Sequence, residues 1–390
     1  MEPEGFGSIG AGYWLDVSPP FPTRYFTNPG CVGDNEGSGD AERQERDRHA
    51  MLVETHLPDA PWGEIAERAA RAEALGFDGL AAAELSRDPF LSLTVAATST
   101  SRIRLATSVA IAFPRSPMVI AYQARNLHDL SGGRFIVGLG TQVKGHIERR
   151  FSTEWGSPGP RLREYVESMR AIWDTWQHGT PLNYSGKFYN FSLMTPEFSP
   201  PPSEYPAPRV DIAAVNEYNI RLAGELCDGL RVHPLSTPAY TRDVIWPNIQ
   251  AGAAKSGRSL DDFELIGTGF IATGSTKDDV QQARENARYR IAFYASTRTY
   301  LPVLEHHGWE ELNPQLRALI AENRWNDLPA VISDDVLDAF CIAGTWDTIV
   351  DRVGERLEGL IDAVSIPTPD ESDDRFFAAL EGLKRLRSRA

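Results

Sequence analysis

The sequence predicts an α/β fold, a (β/α)8 TIM barrel with insertions before strands 5 and 8. Three observations lead there. Short apolar runs alternate with helical stripes from Met51 onward, and eight such runs fit the roughly 340 residues that follow. The chain is 42% apolar and 10% aromatic, enough for a large core.

The first run, Leu52-Val-Glu-Thr-His-Leu57, reads as a strand. Asp59 and Pro61 then start a helix, Trp62, Ile65, Ala69 and Ala72 mark its buried stripe, and Gly76 stops it. The unit repeats: strand Phe77 to Ala83, helix Phe90 to Thr100, strand Ile103 to Ala110, helix Pro117 to Leu130, strand Phe135 to Leu139. A long helix is expected from about Arg161 to Gln177, with further strands at Val210 to Ala214, Gly229 to Val232, Phe263 to Thr273 and Ala363 to Ile366. The insertion before strand 5, about Gly179 to Pro208, reads as a hairpin plus an extended Pro-rich loop. The insertion before strand 8, about Thr297 to Ile342, reads as mostly helical.

Residues 1–50 are rich in Gly, Pro and charge, and are expected to form a disordered extension ahead of a domain over 51–390. Two readings of it stand: a flexible arm, or an upstream addition to a chain whose natural start is Met51. With 39 Lys and Arg against 54 Asp and Glu, the net charge of −15 argues against nucleic acid and anionic lipid as partners. Cys31, Cys227 and Cys341 are scattered, without metal-ligand spacing, and no export or membrane segment is visible, so a reduced, cytoplasmic protein is expected. His306-His307 is a poor metal motif, because adjacent helical side chains diverge. Trp155, Trp173 and Trp176 read as packing, whereas Phe188 and Tyr189 are candidates to roof a pocket.

Chemistry in such a barrel sits where strands end. The residues there are Thr55 and His56, Glu84, Ser108 and Val109, Thr141 to His146, Val215 and Asn216, and His233. Lys144, His146, Arg149 and Arg150, with Arg115 from the preceding loop, form a basic cluster on an acidic protein. The competing reading pairs Arg149 and Arg150 with Glu148 and Glu154.

At these positions the chain resembles the luciferase-like monooxygenase superfamily, most closely its actinobacterial branch that uses the deazaflavin coenzyme F420. The resemblance runs from about Met51 to Pro369. It is carried by Ala106-Thr-Ser-Val-Ala-Ile-Ala-Phe-Pro-Arg-Ser-Pro117, Ser131-Gly-Gly-Arg-Phe-Ile-Val-Gly-Leu-Gly-Thr-Gln142 and Val143-Lys-Gly-His-Ile-Glu-Arg-Arg-Phe151, and more weakly by Leu222 to Gly229 and Gly344 to Thr348.

The resemblance implies a cis Ser108-Val109 peptide whose bulge props the cofactor ring, with Gly140 and Thr141 beside it. It implies that backbone amides at Val215-Asn216-Glu217 hold the cofactor phosphate, although Asn216 reads equally as a helix N-cap. The basic cluster matches the phosphate and oligoglutamate tail of F420 better than FMN, which lacks the tail. Relatives often follow the acid at Glu84 with His; here Leu85 follows, so His56, His146 or Glu84 would handle protons. The Lys that sugar-phosphate enzymes present after strand 6 is absent from His233-Pro-Leu-Ser236, which disfavours that substrate class. Three functions are thus carried forward. The first is an F420-dependent oxidoreductase acting on a small organic substrate, the second a reduced-FMN monooxygenase, and the third a non-catalytic flavin or deazaflavin binder. A homodimer is an expected assembly.

Overall fold

The structure is a computed structural model that describes residues 50–267 and 269–389, so the expected extension lies, but for its last residue, outside the described residues. Eight strands form the barrel: β1 Leu52–His56, β2 Gly79–Ala82, β3 Arg104–Thr107, β4 Phe135–Gly140, β5 Arg209–Ala214, β6 Gly229–Val232, β7 Glu264–Ile266 and β8 Ala363–Ser365. Each pairs in parallel with the next, and β8 pairs with β1 in the register Leu52↔Ala363, which closes the sheet.

Helices α1 Ile65–Leu75, α2 Pro89–Ser99, α3 Pro117–Leu130, α4 Lys144–Arg149, α5 Pro158–His178, α6 Glu217–Leu226, α7 Trp246–Ser256 and α8 Lys277–Ala295 follow in chain order. Their apolar stripes make the outer core: α1 buries Ile65, Ala69, Ala72 and Leu75, at the spacing of one helical face. Side chains start several of them. Asp88 caps α2 by accepting from Phe90 N, and Ser116 caps α3 by accepting from Met118 N. Between α1 and β3, the Glu73 carboxylate accepts from the backbone N–H groups of Ser101, Arg102 and Ile103. Burial raises its pKa, but these bonds outweigh burial and hold it at about 2.

Two expected strands are corrected. The third strand stops at Thr107, and a bulge at Ser108 and Val109 separates it from Ala110–Ile111, which pairs with Leu139 and Gly140. The seventh, expected to run unbroken to Thr273, splits after Ile266. Gly267 and Gly269 adopt φ of +75° and +66°, a left-handed backbone that turns the chain out of the barrel. Phe270–Gly274 then pairs in parallel with Cys341–Thr345 as a separate two-stranded sheet. The second insertion sits between these two strands and is helical, as expected, at Leu301–His306, Leu312–Ala321 and Asp334–Phe340. The first insertion contains the expected hairpin, Tyr184–Ser185 against Asn190–Phe191. No helix among the described residues is long and apolar enough to cross a membrane.

Candidate active site

Strand periodicity sets out the lumen in layers, because residues two apart share a face. Glu54 of β1, Asp211 of β5 and Arg231 of β6 form one layer, all nearly inaccessible. Arg231 reaches Glu54 at 3.0 Å through Nη1 and Asp211 at 3.0 Å through Nε. Glycines make the space: a Cβ on Gly79 would sit 2.7 Å from Glu54 Cγ, and one on Gly229 would sit 2.5 Å from Asp211 Oδ1. Burial raises the Asp211 pKa to about 6, and its Oδ1 finds no hydrogen-bond partner among the described residues. Burial acts on Glu54 too, but Arg231 outweighs it and the pKa falls. This layer was legible in principle, since charged residues interrupt Leu52-Val-Glu, Val210-Asp-Ile and Leu230-Arg-Val, yet the sequence reading passed over it.

Two residues further along, the same faces carry His56 and His233, with Val215 four residues beyond Asp211, higher at the strand ends. His56 is exposed, yet the barrel wall surrounds it, the situation of a side chain at the bottom of an open well. Desolvation lowers its pKa, Glu54 opposes, and Arg231 and Arg290 add to the lowering. Thr55 and Thr368 share a hydroxyl hydrogen bond at 2.9 Å between the ends of β1 and β8.

On the β2 to β4 side, the Ser108–Val109 peptide is cis. Ser108 N donates to Ala82 O at 2.8 Å, tying the bulge to β2. Val109 lies against Gly140, where a Cβ would come within 2.6 Å of Val109 Cγ2, so only glycine lets the bulge sit on the end of β4. Thr141 follows, half-buried, before Gln142 at φ +55°.

Glu84 holds this bulge rather than standing free. Its Oε2 accepts from Ile111 N at 2.7 Å and from Arg115 Nη1 at 2.8 Å, and its side chain is only 7% exposed. Arg115 also bonds Asp88 at 2.9 Å, and Phe90 lies beneath its guanidinium. The structure therefore does not bring Arg115 into the basic cluster: two carboxylates neutralise it.

The rest of the cluster is together on and just after α4. Lys144 lies 3.7 Å from Glu148, both exposed, and His146 is exposed. Neither Arg149 nor Arg150 takes the pairing with Glu148 and Glu154. Arg149 has no acidic partner among the described residues, and Arg150 donates to Leu85 O at 2.9 Å. Asn216 is the N-cap of α6, accepting from Asn219 N at 2.9 Å, so its side chain is committed and only backbone N–H groups of the first turn remain.

The expected roof residues of the first insertion are engaged elsewhere, and aromatics of α8 and the second insertion close on the end of β6. Tyr189 of the first insertion is packed edge-on against Tyr165, and its hydroxyl accepts from Arg161 Nε at 2.9 Å. Instead, Tyr294 of α8 and Tyr300 just beyond it close on His233, with ring centroids 4.5 and 4.4 Å away. Arg290 shares a helix face with Tyr294, four residues on, and has no carboxylate within ion-pair distance among the described residues. Sequence reading missed Arg290, Tyr294 and Tyr300 because neither α8 nor the helical insertion after it carries a signal of which end of the barrel it covers. The one available sign was an aromatic pair, Tyr294 at the end of α8 and Tyr300 at the start of the second insertion.

His306 and His307 belong to packing: His307 bonds Thr237 Oγ1 at 2.8 Å and stacks on Trp309, and His306 faces Asp243 and Tyr240. A surface recess of about 300 Å³ is lined by Thr237, Arg242, His307 and Glu355 and contains none of the strand-end residues named above.

Comparison with known proteins fits this arrangement. A protein of Mycobacterium tuberculosis named only as uncharacterized protein Rv1360 is 43% identical over 320 residues, 82% of this chain and 94% of that protein. The 5,10-methylenetetrahydromethanopterin reductase of Archaeoglobus fulgidus is 28% identical over 82% of this chain and 93% of its own length. Among solved structures, the coenzyme F420 dependent tetrahydromethanopterin reductase from Methanopyrus kandleri superposes with a TM-score of 0.68 at 22% identity, covering 86% of this chain and 98% of that one. The family described as luciferase-like monooxygenase matches residues 41–363. The chain belongs to the luciferase-like monooxygenase family.

Proposed function

We propose that the protein is an oxidoreductase that binds the deazaflavin F420 in the barrel mouth and passes a hydride between it and a small organic substrate. The observation that carries this reading is the exposed basic stretch Lys144 to Arg150, set shortly after β4 and beside the β3 bulge that packs on Gly140, on a chain of net charge −15. Positive charge concentrated beside a strand-end site on an acidic protein selects a polyanionic ligand. The remaining residues fit such a group. Val109, backed by Gly140, offers a flat ring an apolar shelf, and the open N–H groups of the α6 first turn suit a phosphate.

When bound, the deazaflavin supplies or accepts the hydride. The chain supplies orientation and proton handling. Glu84, Asp88 and Arg115 lock the bulge and leave no spare proton-transfer group there. His56 is the strand-end base open to a ligand, with a lowered pKa that keeps it neutral near pH 7. His146, exposed on the outer face of α4, is a contact for the cofactor tail rather than for a reacting centre.

The withdrawal of Arg115 into its ion pairs thins the basic cluster, and this favours the second reading, a monooxygenase that uses reduced FMN and dioxygen. Titrating the purified protein with F420 and with FMN, each oxidised and reduced, separates the two by fluorescence and absorbance. F420 is expected to bind more tightly in at least one redox state. Saturable FMN binding with no F420 binding would overturn the assignment.

A further inference from the structure

His233 accepts the Leu235 N–H through Nδ1 at 3.0 Å. A backbone amide has only a hydrogen to give, so Nδ1 carries no proton. The single proton of the neutral ring therefore sits on Nε2, which lies 3.0 Å from the Tyr300 hydroxyl. It follows that Nε2–H donates and the phenolic oxygen accepts. The Tyr300 O–H is then left over, and among the described residues nothing else accepts it. Burial lowers the His233 pKa to about 4, so the ring stays in this tautomer through the neutral range. Burial also raises the Tyr300 pKa, which keeps its proton in place as a donor.

The position matches the chemistry. His233 follows the end of β6, two residues beyond Arg231, while Tyr300 is half-buried with its ring tilted 31° against the imidazole at a centroid distance of 4.4 Å. Arg290 brings an unpaired cation to the same side, and His56 lies within its electrostatic reach.

Resting on the F420 reading above, we propose that Tyr300, oriented by His233, is the catalytic proton donor of a carbonyl–alcohol interconversion. In the reducing direction the carbonyl carbon gains a hydride from the reduced deazaflavin and the C=O π bond breaks. The oxygen takes the Tyr300 proton, and solvent returns a proton to the half-exposed phenol. The substrate gains two electrons and the coenzyme loses two. The reverse direction oxidises an alcohol by the same path. Tyr300 is the residue that touches substrate; His233 is a positioning residue that fixes which way the phenol donates.

The test uses the full chain. With 15N-histidine labelling, and His233→Gln to assign the signal, His233 is expected as the neutral Nε2–H tautomer at pH 7, without any cofactor present. An Nδ1–H tautomer, or a charged ring, overturns the proposal. Tyr300→Phe should keep the thermal midpoint and the F420 affinity of the parent chain. With reduced F420 and acetone, cyclohexanone and benzaldehyde as probes, it should lower kcat by about 100-fold or more with little change in KM. His233→Gln, whose amide N–H still reaches Tyr300, should retain more activity than His233→Leu. Equal kcat for Tyr300→Phe and the parent chain overturns the assignment. A parent chain that binds F420 but reduces none of the three carbonyls overturns the carbonyl class and leaves the deazaflavin reading standing. A parent chain that binds no F420 overturns both.

Discussion

The floor of the barrel and its mouth differ in one respect: at the floor the charges have partners, and at the mouth several do not. Arg231 lies between Glu54 and Asp211, and below them Arg104 meets Glu264 at 2.6 Å. One layer up, the Tyr300 hydroxyl, Arg290 and Arg149 point at no acceptor or carboxylate of the described chain. Water-excluded charges must be paired for the chain to fold at all, whereas open donors at a strand end are useful only to a ligand. Glu84 and Arg115 mark the border: they lie at strand ends but pair with each other, and so belong with the floor.

The contrast is broken hardest at the floor. Arg231→Met strands two buried carboxylates and should cost about 3–5 kcal/mol, read as a shift of the urea unfolding midpoint. Replacing a lumen residue of the mouth, as in Tyr300→Phe, should leave that midpoint in place.

Glu73 gives a smaller effect with a defined pH signature. Its folded pKa of about 2 lies below the ordinary 4.5, so its contribution is complete above pH 4.5 and is lost as pH falls toward 2. Discounting for its partial exposure, Glu73→Gln should cost on the order of 2 kcal/mol at pH 7, with the gap between variant and parent closing in acid. A constant gap from pH 7 to pH 3 would contradict the account.

Gly140→Ala should cost about 1–2 kcal/mol, because its Cβ must displace Val109. Its effect on F420 binding should exceed its effect on stability if Val109 is the shelf proposed above. Loss of stability with unaltered affinity would remove Val109 from the site.

The fold and the site were not equally legible. Short apolar runs of four to eleven residues, several closed by Gly or Pro, were sufficient to place the barrel strands, because that pattern reflects burial of each strand on both faces. The seventh strand was misread because Phe263 to Thr273 stays apolar across Gly267 and Gly269, and periodicity alone does not show a backbone that turns away. Strand-end position offered His56, Ser108, Val109, Asn216 and His233 as candidates, and the family resemblance added Gly140. Pairing across elements was not visible: nothing in the sequence shows that Arg115 meets Glu84 and Asp88 instead of Lys144. Tyr300 was hidden for the same reason, since its meaning comes from the tautomer of His233, sixty-seven residues earlier.

The central proposal is that the exposed basic stretch after β4 reads the F420 tail, and one measurement tests it most directly. The affinities of the parent chain and of the Lys144→Ala, Arg149→Ala double variant are compared for F420 and for a tailless deazaflavin at several salt concentrations. Stability should change by no more than about 0.5 kcal/mol, as both side chains are exposed. The account predicts that F420 binding weakens in the variant and loses its salt dependence, while the tailless ligand binds both proteins alike. Equal losses for both ligands, or an unchanged affinity for F420, would contradict it.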